Sequence, residues 1–240
     1  MRRTFETMGT VASVDGIDEP TLAAVRDIFT TADERFSLYR PDSELSRVAS
    51  GELTLPECSV QVRDAYADAL AFSSLTSGAF TPHRWDGVID LNGIVKAQAM
   101  QKAGGLIHSS GCRDWSLNVG GDILVGGHAP HTTGIVDPFD SGTLLCAIDF
   151  IAPRVAMATS GSAERGDHIW LAGATGPAEY VQVSVVGNDI ITADVLATAI
   201  VAGGRSALDE VTARWDVDVI AVARDGSMLA TPGIRTALAA

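Results

Sequence analysis

One apolar run constrains the fold of this chain more than any other feature, because a segment so poor in charge has to be buried. It lies within residues 187–204 and contains Asp194 and Thr198, four residues apart. In a helix, that spacing places both side chains on one face. A carboxylate and a hydroxyl suit a hard cation such as Mg²⁺. Alternatively, Asp194 caps the helix and Thr198 bonds back to a backbone carbonyl, and the pattern leaves both interpretations open.

The balance of charge indicates which binding partners to expect, and the spacing of the cysteines indicates the cellular compartment. The chain of 240 residues carries 30 acidic and 17 basic residues, a formal charge of −13. This disfavours nucleic acid and anionic membranes as partners. The three cysteines match no metal or redox spacing, which is typical of reduced residues in a cytoplasmic protein. Because no apolar run follows the two N-terminal arginines and no uncharged stretch approaches about 18 apolar residues, we expect neither a signal peptide nor a membrane span.

The spacing of apolar residues predicts an irregular succession of helices and strands with no internal repeat. Helices are expected at 19–39, 60–80 and 94–111 and within 187–204. Strands are expected at 3–16 (with a glycine interruption), 87–93, 114–128, 132–139, 142–150, 155–161 and 180–188, and a closing hairpin at 217–232 about Asp225 and Gly226. This order is typical of the α+β class. We therefore predict an α+β fold, a mixed antiparallel sheet with packed helices, in a single domain that covers residues 1–240.

Three further local patterns carry chemistry, and each also has a structural interpretation. Lys96 falls in the first turn of a predicted helix, where free amides and the helix dipole favour an anion, or it is simply solvated. Gly120 and Gly121 allow either the close approach of a ligand or a tight hairpin turn. His168 is a candidate general base or an ordinary histidine of a surface loop.

These patterns, taken in their order along the chain, resemble the motifs of one family, the FAD:protein FMN transferases or ApbE-like proteins. MGT at 8–10 is similar to the N-terminal MGT of the family, and RFSLYRPDSELSRV at 35–48 resembles its S-x-Y-x-x-x-S-x-L-S pattern. Three further segments match family motifs: TSGAF is similar to TGGAFD, DLNGIVKA to DLGGIAKG, and LNVGGDI to a GGDI motif. The resemblance runs nearly from end to end of the chain, and its last three motifs are ATSG, HI at 168–169 and ADVLATA.

The resemblance implies an enzyme that binds FAD with Mg²⁺, cleaves the pyrophosphate of FAD and attaches FMN by a phosphoester to a Thr or Ser of a target flavoprotein. It places Asp194 and Thr198 on metal-ligand positions, together with Ala197 and the backbone of Gly93. Tyr39 matches the tyrosine that packs on the flavin. His168 is the expected catalytic base and also a cofactor-binding residue; the other cofactor-binding positions are Met8, Ala79, Phe80, Thr81, Asp90 and Lys96.

The chain departs from the family pattern mainly on the side of the flavin and the acceptor. The segment GAFTPHRWDGVIDL is short, Thr81 stands where an aspartate is usual, and Asn92 replaces a glycine. After His168 and Ile169, Trp170 and Leu171 replace the DP of the family. These departures motivate an alternative function, an FAD-binding protein for storage or delivery. A member that lacks an acceptor would instead be an FAD hydrolase without transferase activity. A third interpretation is that the fold is kept for protein contacts alone.

Overall fold

Most strands of the chain form one antiparallel sheet. The structure is a computed structural model that describes residues 1–161 and 178–239. The strands are β1 Arg3–Thr7, β2 Thr10–Asp15, β3 Trp115–Val119, β4 Asp122–Gly126, β5 Thr132–Asp137, β6 Asp140–Asp149, β7 Ala156–Gly161, β8 Tyr180–Gly187, β9 Asp218–Ala223 and β10 Met228–Ala230. The main sheet has the order β1-β2-β3-β4-β7-β8-β9-β10, and each of these neighbouring pairs is antiparallel. Strands β5 and β6 form a separate two-stranded ribbon.

The helices in the described residues are α1 Glu19–Phe36, α2 Glu44–Ala49, α3 Val60–Leu75, α4 Asn92–Ser109, α5 Ile190–Arg214 and α6 Pro232–Ala237, with a 3₁₀ turn at Leu55–Glu57. Four of the six helices in this part of the chain, α1, α2, α3 and α5, begin after a residue whose side chain accepts a free backbone N–H. Asp18 caps α1 by accepting the N–H of Thr21, and Ser59 caps α3 by accepting the N–H of Val62.

Each face of the main sheet packs against different elements. Helices α1, α4 and α5 cover one face and bury the largest apolar cluster against it, with residues such as Phe29, Met100 and Leu196. Helix α3 packs outside α4 and α5 in a second cluster that includes Phe80 and Val195. The β5–β6 ribbon and α6 cover the opposite face. Two of the buried polar side chains, Lys96 and Asp194, belong to the helices of the first face.

Helix α5 is a core helix with a break near its middle. It is long and apolar enough, by length and composition alone, to cross a membrane, but 61% of its most apolar window is buried inside the structure. At Gly204 the backbone leaves the helical region, with φ 61° and ψ −147°. The carboxylate of Glu179 accepts the N–H of Arg205 at 2.8 Å and so caps the second half of the helix. A side chain at Gly204 would collide with that carboxylate.

The α+β class predicted from sequence is confirmed, together with the main helices, the β3–β4 hairpin and the β9–β10 hairpin. The predicted strand at 87–93 is wrong. Within the described residues, this segment forms one isolated bridge, between His83 and Ile89. The reason is that Asp90 turns the chain directly into α4, since its Oδ1 accepts the N–H of Asn92 at 2.9 Å.

The segment 3–16 also differs from expectation, because it is a hairpin and not one interrupted strand. Met8 and Gly9 have φ values of 46° and 71°, and two consecutive residues with positive φ reverse the chain in a two-residue turn. Helices α2 and α6 were not expected from the sequence. Both are only six residues long, too short for an apolar repeat to show.

Candidate functional site

Several polar and glycine-rich segments meet at one end of the main sheet, which we call the turn end. It carries the Met8–Gly9 turn, the turn at Gly120 and Gly121, and the last residues of β7. The two turns are neighbours because β2 pairs with β3, and the N–H of Gly120 donates to the carbonyl of Val11 at 3.2 Å. Gly120 and Gly121 both have positive φ, so the glycine pair forms a hairpin turn and confirms that interpretation of the sequence.

A buried ionic cluster links three elements at the turn end. Lys96 of α4 forms an ion pair with Asp122, the first residue of β4, and its Nζ lies 3.8 Å from Oδ2 of Asp194 on α5. The three side chains are 8%, 0% and 5% exposed, respectively. The alternative of a solvated lysine is therefore wrong. Burial of charges is costly unless they are paired, so the cluster fixes the relative positions of α4, β4 and α5.

Asp194 does not cap α5. The N-cap is Asp189, whose side chain accepts the N–H of Thr192 at 2.9 Å. Asp194 lies beyond the first turn of the helix, on its buried face. The capping alternative is therefore wrong for Asp194, and its burial calls for another explanation.

Thr198 lies one turn after Asp194 and points towards β7. Its Oγ1 is 3.1 Å from Oγ of Ser160, the next-to-last residue of that strand. The hydroxyl thus has a partner outside its own helix, whereas the alternative interpretation gave it a backbone carbonyl of α5. The preceding residue of β7, Thr159, donates its N–H to Oδ1 of Asp122 at 3.0 Å. Strand β7 therefore contacts the ionic cluster through Thr159 and contacts Thr198 through Ser160.

The predicted metal ligands are chemically suited to Mg²⁺. Asp194 and Thr198 offer a carboxylate and a hydroxyl from one face of α5, and the backbone carbonyls of Ala197 and Gly93 are also oxygen donors. A carbonyl inside a helix retains a second lone pair. Within residues 1–161 and 178–239, no group of three or more His, Cys, Asp or Glu side chains forms a metal centre. A cation here would thus rest on few side chains, as Mg²⁺ sites commonly do.

The predicted cofactor-binding residues that precede α4 lie next to Gly93 and α5 or in the loop that leads into α4. The ring of Phe80 is buried and lies so close to Gly93 that a Cβ added there would be 2.9 Å from it. Ala79 packs near Gly203 of α5. The side chain of Thr81 accepts the N–H of His83, and the side chain of Asp90 accepts the N–H of Asn92. Both hydrogen bonds stabilise the short loop that leads into α4.

The other predicted flavin contact, Tyr39, lies on a short loop between α1 and α2 and is 80% exposed. The loop is held at its base, because the hydroxyls of Ser43 and Ser46 both donate to the carbonyl of Ser37 at 2.5 and 3.0 Å. These residues are the serines of the S-x-Y-x-x-x-S-x-L-S pattern, which explains their spacing. An exposed aromatic ring on a fixed loop is suited to stacking on a planar ligand.

Glu44 follows this loop directly and helps to hold the loop against the neighbouring helices. Its carboxylate accepts the N–H of Ser59 at 2.5 Å and pairs with Arg35 at 3.1 Å. Burial acts to raise the pKa of Glu44, but these hydrogen bonds outweigh it and hold the pKa below its ordinary value. Glu44 therefore stays ionised and ties α2 to both α1 and α3.

The structure brings together Lys96, Asp194, Thr198 and Ala197 at the turn end, with Gly93, Ala79 and Phe80 beside them. Met8 contacts both apolar clusters of the helical layer. His168 lies outside the described residues. Sequence reasoning missed Asp122 and Ser160. The sequence does indicate that Asp122 is buried. It follows the glycine pair and lies two residues before the buried Leu124, so in a strand both side chains point to the same face.

The model of the ApbE family matches residues 83–221. No curated protein matches the chain significantly.

Solved structures of similar fold cover nearly the whole chain. The flavin transferase ApbE from Vibrio cholerae is 22% identical, with a TM-score of 0.78 and 99% of each chain covered. The ApbE protein from Thermotoga maritima is 18% identical, with a TM-score of 0.80 and 100% of this chain and 99% of that chain covered. The flavinyl transferase ApbE from Pseudomonas stutzeri, in its apo form, is 17% identical, with a TM-score of 0.79 and 100% and 97% covered.

Proposed function

This chain belongs to the ApbE family, and we propose that it is a magnesium-dependent FAD:protein FMN transferase. It would cleave FAD and attach FMN by a phosphoester to a Thr or Ser of a target flavoprotein. Family and fold support flavin transfer. The observation that carries the finer proposal is the pair of oxygen donors on α5, Asp194 and Thr198, next to the buried Lys96.

The residues of the turn end have separate roles in this proposal. Asp194 and Thr198 would hold Mg²⁺ together with the carbonyls of Gly93 and Ala197. When bound, the ion would supply Lewis-acid stabilisation of negative charge on the pyrophosphate. Lys96, in the second turn of α4, would add a positive charge beside the phosphates, and the N-terminus of that helix also favours an anion. The exposed ring of Tyr39 stacks on the flavin; Met8, Ala79, Phe80, Thr81 and Asp90 complete the cofactor site.

The transfer itself needs one nucleophile and one base. The hydroxyl oxygen of the acceptor attacks the phosphorus on the FMN side, the P–O bond to the AMP phosphate breaks, and AMP leaves with the bridging oxygen. The proton of the acceptor hydroxyl passes to His168, the proposed general base. The net reaction converts FAD and a protein hydroxyl into an FMN phosphoester and AMP.

We also propose that residues 1–240 form one flavin transferase domain and that it works in the cytoplasm, with FAD and an acceptor flavoprotein as partners and without nucleic acid or membrane. The acidic composition supports the exclusion of polyanionic partners. Fractionation of the cell of origin, followed by detection of the protein with an antibody, tests the location.

Replacing Tyr39 by Ala is expected to weaken flavin binding by about 1 kcal/mol, or roughly fivefold in Kd, because a stacking surface is lost. Tyr39 is exposed, so the fold should not change. Fluorescence titration with FAD measures the effect. The control is Tyr39→Phe, which keeps the ring and should bind like the unmodified protein; equal affinity of all three proteins would remove Tyr39 from the site.

Flavin binding as such is tested by the absorption spectrum of the protein after incubation with FAD and gel filtration. The proposal predicts a flavin band that travels with the protein. A protein that stays colourless at saturating FAD, with and without Mg²⁺, would contradict it.

A further inference from the structure

The segment that leads into α4 carries an exposed indole at its turn. Residues 82–90, which we call the tryptophan hairpin, reverse the chain, and His83 pairs with Ile89 in an antiparallel bridge. Trp85 lies in the turn and is 81% exposed. A single exposed apolar side chain is common on protein surfaces and implies no function by itself. The function of Trp85 therefore has to be inferred from how the hairpin is held and where it lies.

Hydrogen bonds fix the turn on both sides of Trp85. The N–H of Arg84 donates to the carbonyl of Val88 at 2.9 Å, and the N–H of Gly87 donates to the carbonyl of Arg84 at 3.0 Å. Gly87 has φ 84°, a conformation that glycine adopts without strain. The carboxylate of Asp86 accepts the N–H of Val88 at 3.2 Å and forms an ion pair with Arg84 at 3.1 Å. The indole is thus attached to a well-defined backbone, and the two charges beside it compensate each other.

The base of the tryptophan hairpin is attached to the helical layer. The hydroxyl of Tyr66, on α3, lies 2.9 Å from Nε2 of His83, and the two rings meet edge to face with their centroids 5.7 Å apart. Ile89 packs against the second apolar cluster, the one between α3 and α4. Leu38, which precedes Tyr39, packs against the same cluster. The segments that carry the two exposed aromatic rings are therefore both attached to one cluster.

The tryptophan hairpin also lies next to the proposed cofactor site. It is closed by the N–H of Asp90, which donates to the carbonyl of Pro82 at 2.8 Å. Asp90 and Thr81, at the two ends of the hairpin, are both proposed cofactor positions. Because only three residue steps separate Pro82 from Trp85, their Cα atoms lie at most about 11 Å apart. FAD has a planar ring system on each side of its pyrophosphate, so one FAD molecule bound at α4 could extend a ring to Trp85.

We propose that Trp85 is a specificity-determining residue that stacks on a planar ring system of FAD, in addition to the contact made by Tyr39. This inference rests on the proposed function. An indole offers a large flat surface for a heteroaromatic ring, and it has only two rotatable side-chain bonds to fix. The hydrogen-bonded turn lowers the cost of ordering further. Trp85 therefore favours a nucleotide that carries such a ring over a ligand that offers phosphates alone.

The variant Trp85→Ala is expected to raise the Kd for FAD roughly five- to tenfold, because a stacking surface is lost. Trp85→Phe keeps an aromatic ring and should restore most of the affinity. The matched control is Met228→Ala, which also removes an exposed apolar side chain, but on the edge strand β10. This control should bind FAD like the unmodified protein. Fluorescence titration measures each Kd, and a thermal melt shows that each variant is folded.

Titrations with parts of the cofactor identify the ring and separate stacking from a structural role. The same proteins are titrated with FMN, with AMP and with inorganic pyrophosphate, each in the presence of Mg²⁺. A loss of affinity in Trp85→Ala for FMN assigns the flavin ring to Trp85, and a loss for AMP assigns the adenine ring; either result supports the proposal. The affinity for pyrophosphate should not change, since pyrophosphate has no ring. An equal loss for pyrophosphate would mean that Trp85 only maintains the structure of the site, and would overturn the proposal.

The failure of this inference is distinguishable from the failure of the proposed function. If Trp85→Ala binds FAD as tightly as the unmodified protein, the stacking role is overturned and the proposed function is retained. A change confined to the KM for the acceptor protein would overturn it equally, because Trp85 would then contact the acceptor. If the unmodified protein does not bind FAD, the proposed function is overturned, and the inference with it.

Discussion

Replacing Asp194 by Asn is expected to lower Mg²⁺-dependent release of AMP from FAD roughly 100-fold or more, since a bound metal contributes several kcal/mol to phosphoryl transfer. The amide matches the carboxylate in shape and removes only its charge, so the buried face of α5 should still pack. Chromatographic measurement of AMP, with a thermal melt of each protein, records both effects.

The same helix provides a matched control at Asp189. Asp189→Asn also removes one acid from α5, but Asn is as good an N-cap as Asp, so both stability and Mg²⁺ dependence should be retained. Equal loss of activity in both variants would mean that general charge, and not a ligand at Asp194, matters. Full Mg²⁺-dependent turnover in Asp194→Asn would show that Asp194 is not a ligand.

Replacing Thr198 by Val is expected to raise the Mg²⁺ concentration needed for half-maximal activity roughly tenfold, because the cation loses one of the few oxygens that the protein offers. The change preserves the β-branched shape and removes the hydroxyl. Thr198→Ser, which keeps the hydroxyl, should restore most of the Mg²⁺ affinity. The measurement is the Mg²⁺ dependence of AMP release for each variant.

The hydrogen bond to Ser160 provides the control for a structural role of Thr198. Ser160→Ala removes that bond and leaves the Thr198 hydroxyl in place, with a stability loss of about 0.5–1.5 kcal/mol. If Thr198→Val reproduces this stability loss without changing the Mg²⁺ dependence, then Thr198 serves only to join α5 to β7.

Local patterns were sufficient for most of the secondary structure. The three-and-four spacing of apolar residues located α1, α3 and α4, and the Asp225–Gly226 pair located the last hairpin, because these signals lie within a few residues of each other. The Met8–Gly9 turn was missed because Met is an uncommon residue at positive φ. The separation of β5–β6 from the main sheet depends on which face each strand covers, and no local pattern reports that.

The site was predictable only in part, for a similar reason. The spacing of Asp194 and Thr198 correctly placed them on one face of a helix, and the helix carries that information within one turn. The burial of Lys96 did not follow from its neighbours, since it depends on Asp122 and Asp194, which lie far away in sequence. Pairing between distant charges becomes visible only when α4, β4 and α5 are assembled.

Metal-dependent transfer is measured by incubating the purified protein with FAD and a flavoprotein that contains an acceptor Thr, with Mg²⁺ or with a chelator, and quantifying AMP. We expect AMP only with Mg²⁺. A covalent flavin should then appear on the acceptor, as fluorescence that survives denaturing electrophoresis. A protein that binds FAD tightly yet releases no AMP at any Mg²⁺ concentration, with or without the acceptor, would contradict transferase function and leave only flavin binding.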